Sequence, residues 1–197
     1  MPIRPILVTG FDRFGTHDHN SSEAITLALA AASDPRFTCR VLPTSYHRAG
    51  ELIEAWLNAE RPAAVVMLGL AASAEGLRLE RFARNRDQTE TADNDGESRP
   101  DSVIVRAAPV AYASTLPLER FAVAVRRRGT PVEFSESAGG FLCNHVFFRA
   151  RHLLELNDWQ IPCGFLHVPA TRPGQLEPWL GAVSECLEVL LESLESS

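Results

Sequence analysis

The sequence predicts an α/β protein, a three-layer α/β/α sandwich. Two observations carry this. Strand-like segments alternate with helix-like segments along the chain. Several strand segments are unbroken apolar runs, the pattern of strands buried on both faces. Size agrees: 197 residues, 45% hydrophobic and 22% charged, suit a single domain over 1–197 with a sizeable core.

The elements follow in order. Residues 6–9 read as a buried strand stopped by Gly10. Ser21 or Ser22 then caps a helix through Ala32, with Glu23 in its first turn. Residues 39–42 form a short strand, and 47–59 a helix whose Leu52, Ile53, Trp56 and Leu57 share a face. Residues 63–68 are a second buried strand, stopped by Gly69. The polar stretch RNRDQTETADNDGESRP, 84–100, reads as an exposed surface loop of a length often tied to function. A helix resumes over 118–128, with Pro117 at its first turn. Residues 132–134 are a brief strand, 143–156 a helix, and 161–168 a strand ended by Pro169. A closing helix spans 178–194 and buries Leu180, Val183, Leu187, Leu190, Leu191 and Leu194.

Composition excludes some functions. A net charge of −6 argues against a general nucleic-acid binder, which carries a basic face. No apolar run reaches membrane-spanning length. Cys39, Cys143, Cys163 and Cys186 form no CxxC pair, and the chain has core enough not to need disulfides. The opening MPIRPILVTGF is too short for a signal peptide and reads as a first strand. The expectation is a soluble, reduced, cytoplasmic protein.

The chemistry centres on SESAGGFLCNHVFF, which places Cys143 where a glycine-containing loop turns into a helix. Free N–H groups and the positive end of the helix dipole favour a thiolate there and could bind an oxyanion. The Gly139-Gly140 pair lets backbone approach a ligand closely. A thiol nucleophile needs a base. Of His17, His19, His47, His145, His152 and His167, the last stands out, at the end of a buried strand in GFLHVP. His145 and His152 read as surface or flank positions. An acid that orients the histidine could be Glu80 in LRLERFARN, with Leu77, Leu79 and Phe82 giving an apolar setting. It could equally be an exposed residue paired with Arg78 or Arg84, and the residues alone do not choose it over other acids.

Two other motifs fail. GFDRFG has phosphate-loop spacing, but Thr16 and His17 stand where Lys and Ser/Thr belong. His17, Asp18 and His19, or Cys163 with His167, offer no full set of metal ligands.

Taken together, ILVTGFDRFG, GLAASAEGLRLERFARN, SESAGGFLCN and GFLHVP, with YASTLP and ADNDG, resemble the type I pyroglutamyl peptidases, or pyrrolidone-carboxylate peptidases. These are cysteine peptidases that remove an N-terminal pyroglutamate. The resemblance runs almost the whole chain, and the cysteine box is its most specific part. It implies a twisted, mixed, mostly parallel sheet of the phosphorylase/hydrolase-like kind. It also implies a triad of Glu80, Cys143 and His167, and a lactam pocket with Phe11, Phe14 and Phe141, joined by Asn20. Substrates would be peptides or amides bearing N-terminal pyroglutamate. No metal or organic cofactor is implied, and a homodimer or homotetramer is.

The surroundings depart from the family pattern. Ala72, Ser73 and Ala74 replace Gly-Gly-Arg, and Arg78 replaces Ser or Thr. Glu90 stands where a loop arginine is usual, and Asn20-Ser21-Ser22 replaces Asn-Pro-Ser. These changes leave two alternatives: a thiol amidase acting on another small amide or lactam, and a non-catalytic binder of blocked N-termini.

Overall fold

The computed structural model describes residues 4–15, 19–172 and 174–196. The chain begins with β1 (Ile6–Phe11), α1 (Ser21–Ala31), β2 (Phe37–Leu42), α2 (Tyr46–Glu60) and β3 (Val65–Ala71). Short strands follow: β4 (Leu77–Glu80), β5 (Phe82–Arg84), β6 (Asp87–Thr89), β7 (Arg99–Ser102) and β8 (Ala111–Ala113). Then come α3 (Leu118–Arg127), β9 (Val132–Ser135), α4 (Leu142–Leu156), β10 (Cys163–Pro169) and α5 (Glu177–Glu195).

Among the described residues, one six-stranded sheet has the order β2-β1-β3-β10-β4-β9. All of its pairings are parallel except β10 with β4. This is the expected mixed, mostly parallel sheet. Helices α1, α3 and α5 pack on one face, α2 and α4 on the other. Alternation along the strands feeds both layers. In β3, Val66 and Leu68 point to the α1/α3/α5 side, while Val65 and Met67 point to the α2/α4 side. Each such side chain, fully removed from water, stabilises the fold by about 1.5–3 kcal/mol. This two-sided burial is why the strands read as unbroken apolar runs.

The structure corrects several boundaries. α1 is capped by Asn20, whose side chain accepts from the Ser22 N–H, and not by Ser21 or Ser22. β3 does not stop at Gly69 but runs on to Ala71. Pro117 is the cap residue before α3, just outside its first turn. The polar stretch is more than a loop. β6 and β7 pair as an antiparallel arm, and β5 pairs with β8. Among the described residues no helix is long and apolar enough to cross a membrane.

Candidate active site

The site forms where β3, β10 and β4 lie side by side beneath the start of α4. His167 on β10 is in register with Gly69 on β3 and Arg78 on β4. Glu80 is opposite Phe165, two residues from His167, and is thus its diagonal neighbour on one face. Glu80 Oε1 is 2.8 Å from His167 Nδ1. Glu80 is 1% exposed and His167 7%. An ionised carboxylate can only accept, so Nδ1–H donates to Glu80 and Nε2 is left for a second partner. The Phe165 ring, 4.8 Å away between centroids, packs against the imidazole.

Glu80 is buried, but not by the residues expected to give it an apolar setting. Leu77 and Leu79 point into the α1/α3/α5 core, and Phe82 is exposed. Period-two alternation in LRLE sends Glu80 to the opposite face. Arg78 pairs instead with Glu133.

Cys143 is the second residue of α4. Its Sγ lies over the Gly69 backbone: a Cβ at Gly69 would meet it at 2.7 Å and the Phe165 ring at 2.8 Å. Only glycine leaves room for the sulfur beside His167. The cap residue of α4 is Phe141, which makes no side-chain cap hydrogen bond, and the first turn holds no acid. The first-turn N–H groups and the positive end of the dipole are thus left for a ligand. The helices α3 and α5 also lack a side-chain cap, at Pro117 and Leu176, so what sets α4 apart is the cysteine in its first turn.

Burial pulls the His167 pKa down, but the Cys143 sulfur and the Glu80 carboxylate, both hydrogen-bonded to the imidazole, outweigh it and raise the pKa to about 9. The ordinary value is 6.5. A pKa raised on folding stabilises the fold fully below about 6.5, and this contribution is lost as pH rises through about 9. An NMR titration of His167 should therefore show a midpoint near 9, falling back toward 6.5 in Cys143→Ala. A wild-type midpoint at or below 6.5 would mean that burial governs the group instead. Burial also pushes the Cys39 and Cys163 thiols up, to about 11 and about 12, and the Cys186 thiol higher still. Those three stay protonated and unreactive at neutral pH.

Beside the sulfur is a cavity of about 150 Å³, lined among others by Phe11, Phe14, Asn20, Phe141, Cys143 and His167. An apolar cavity of this size holds a benzene-sized ring. Phe14 and Phe141 meet at 5.7 Å between centroids. The loop carrying Phe14 is tied down by Asn20 Nδ2, which donates to the Asp12 carbonyl, and by Asn94 Nδ2, which donates to the Arg13 carbonyl. Thr44, Leu70, Ala138 and Leu142 complete the lining. Ala138 and Leu142 lie in SESAGGFLCN and Leu70 in GLAASAEGLRLERFARN, whereas no feature of its own segment singled out Thr44.

Other expectations fare differently. His145 is not at a flank: it is 3% exposed, and its Nδ1 lies 2.8 Å from Asp87 Oδ2. The β6–β7 arm covers α4 there, a long-range contact invisible to helical periodicity. His152, half-buried, bonds the Tyr112 hydroxyl. The glycine pair serves the arm as well as the loop. A Cβ at Gly140 would meet the Gln88 carbonyl oxygen at 2.3 Å, and Gly139 has φ +85°. Asn144, missed in the sequence, is fully buried and bonds the Arg84 N–H and the carbonyls of Arg84 and Arg86. Glu90 is exposed just beyond β6, and Ala72 and Ser73 occupy the turn after β3. Thr16, His17 and Asp18 lie outside the described residues, while His19 bonds Thr171.

Residues 4–197 match the family model described as pyroglutamyl peptidase. The chain is 30% identical to the pyrrolidone-carboxylate peptidase of Bacillus mycoides (strain KBAB4), over 96% of this chain and 92% of that protein. Among solved structures, the pyrrolidone carboxyl peptidase of Pyrococcus furiosus superposes with a TM-score of 0.91 at 32% identity, covering 96% of this chain and 99% of that one. The enzyme of the same name from Thermococcus litoralis also gives 0.91 at 32% identity, covering 98% and 96%.

Proposed function

The chain belongs to the pyroglutamyl peptidase family, and from that premise we propose that Cys143, His167 and Glu80 carry out its reaction. That reaction is hydrolysis of the amide bond after an N-terminal pyroglutamyl residue. The observation that carries the residue assignment is the seating of the Cys143 sulfur over Gly69, beside a His167 that Glu80 orients.

His167 Nε2 takes the thiol proton, and the thiolate attacks the carbonyl carbon that follows the lactam ring. The uncapped N–H groups at the start of α4 hold the developing oxyanion. As the tetrahedral intermediate collapses, the C–N bond breaks and Nε2–H protonates the leaving amine. A water then gives its proton to Nε2 and attacks the thioester, releasing pyroglutamate and the thiol. Glu80 keeps the imidazole in one tautomer and stabilises its cation. No step calls for a metal or an organic cofactor.

Phe11, Phe14 and Phe141 enclose the lactam. An apolar pocket rejects the ammonium of an ordinary N-terminus, because desolvating an unpaired charge is costly. Asn20 contributes its second amide N–H, since the first is committed to Asp12. We place the whole chain, 1–197, in one catalytic domain. Free cysteines support a cytoplasmic setting, and the acidic balance supports a role without nucleic acid. The exposed Phe82, Val103 and Val110 support a homodimer or homotetramer.

The test is release of a fluorescent amine from pyroglutamyl, prolyl and glutamyl amides. Only the pyroglutamyl amide should be turned over; equal rates on all three, or none, would overturn the reading. Phe14→Ala should raise KM about tenfold, the equivalent of about 1.4 kcal/mol, with kcat kept. An unchanged KM would remove Phe14 from the pocket wall.

A further inference from the structure

A second buried histidine–carboxylate pair adjoins the pocket from behind. Asp87 Oδ2 accepts from His145 Nδ1 at 2.8 Å and from Arg99 Nη1 at 3.1 Å. Arg99 Nε donates to Glu97 Oε1 at 2.7 Å. Held between these carboxylates, the guanidinium lies over the Tyr46 ring, 4.2 Å from its centroid. Tyr46 is 1% exposed, and its backbone N–H is fixed by Asp93 Oδ2 at 2.8 Å. Its ring meets Phe141 edge-on, at 5.6 Å and 90°. Phe141 in turn leans on Phe14, and both line the cavity. A continuous series of ring contacts thus runs from the β6–β7 arm to the substrate pocket.

We infer that Arg99 is a positioning residue for substrate binding: anchored by Asp87, it presses Tyr46 against Phe141 and so sets the aromatic wall of the lactam pocket. The inference rests on the lactam pocket of the proposed function. Phe141 is a cap residue whose side chain makes no cap hydrogen bond, so its ring is oriented by packing. Tyr46 supplies that packing, and Tyr46 is held by Arg99 on one side and His145 on another. Among the described residues, the hydrogen bonds and ring contact of Arg99 go to Asp87, Glu97, His145 and Tyr46, and none goes to Cys143, His167 or Glu80. Its loss therefore acts on affinity for the lactam and leaves the bond-making groups in place.

Two readouts test this. One is KM and kcat on a pyroglutamyl amide. The other is the concentration of 2-pyrrolidone that half-protects Cys143 from iodoacetamide. Arg99→Gln should raise both KM and the half-protecting concentration about fivefold, the size of effect a partly desolvated cation–π contact carries. Its kcat and its unprotected alkylation rate should match wild type. Arg99→Lys, which keeps a cation for Asp87 and Tyr46, should recover most of the affinity. Tyr46→Leu should weaken binding similarly, and adding Arg99→Gln to it should cost nothing further, since both act through one contact. If Arg99→Gln does not fold, Arg99→Lys and Tyr46→Leu carry the test, with near-wild-type affinity expected in the first and about fivefold weakening in the second. Wild-type affinity in Arg99→Gln or Tyr46→Leu, full additivity in the pair, or a fall in kcat alone would overturn the inference while leaving the proposed function standing. A wild type that neither turns over the amide nor gains protection from 2-pyrrolidone would overturn the proposed function itself, and this inference with it.

Discussion

Cys143→Ser is expected to abolish turnover, lowering kcat about 10⁴-fold or more. Serine is the sterically gentle replacement, because its oxygen is smaller than the sulfur seated over Gly69 and requires no movement of β3. What is lost is acidity. A thiol is acid enough to pass its proton fully to a neighbouring imidazole, forming a thiolate–imidazolium pair. A hydroxyl is far too weak an acid to do so, and its proton must instead move during the attack. The first-turn N–H groups of α4 and the pocket remain, so binding should survive: KM, or the affinity for 2-pyrrolidone, should stay near wild type. Cys39→Ser, on β2 away from the pocket, is the control and should keep full activity. Retention of more than about a hundredth of wild-type kcat in Cys143→Ser would place the nucleophile elsewhere.

Much of the fold was legible because the sheet is buried on both faces. Residues such as Val65, Val66 and Met67 must all be apolar, so the core strands declare themselves. The cysteine was legible from its place in the chain. SESAGGFLCN puts a thiol where a glycine-containing loop turns into a helix, and there the free N–H groups and the dipole favour a thiolate. The short strands were not legible. RPDS and DQT lack any apolar alternation, since β6 and β7 pair mainly with each other at the surface. Asp87 and His145 were missed for the same reason: each is buried only because the other's element covers it, some 58 positions away along the chain. Gly69 looked like a strand terminator, while its real constraint is the sulfur above it. In β4 the signal was present but misread. Alternation in LRLE places Leu77 and Leu79 on one face and Glu80 on the other, so the leucines mark where the acid does not point.

Glu80→Gln separates an orienting acid from a buried packing residue. The side chains are nearly isosteric, and position 80 pairs on both sides within the sheet, with Phe165 and with Ser135, so the backbone has no reason to shift. The electrostatics change in two ways. A carboxylate accepts the Nδ1–H bond and stabilises the imidazolium; a neutral amide does the first weakly and the second hardly at all. The amide can also turn its NH₂ toward Nδ1, which moves the ring proton to Nε2 and leaves that atom unable to take the thiol proton. The expected result is a kcat about 10³–10⁴-fold lower. The pH dependence should move with it. Glu80 is one of the groups holding the His167 pKa up at about 9, so without its charge the imidazolium deprotonates at lower pH. The alkaline fall in kcat/KM should then begin earlier than in wild type, and iodoacetamide should alkylate Cys143 more slowly at neutral pH, because less of the thiolate–imidazolium pair exists. A Glu80→Gln enzyme that stays within about tenfold of wild-type kcat, with an unshifted pH profile, would reduce Glu80 to a packing role and leave Cys143 and His167 working as a dyad.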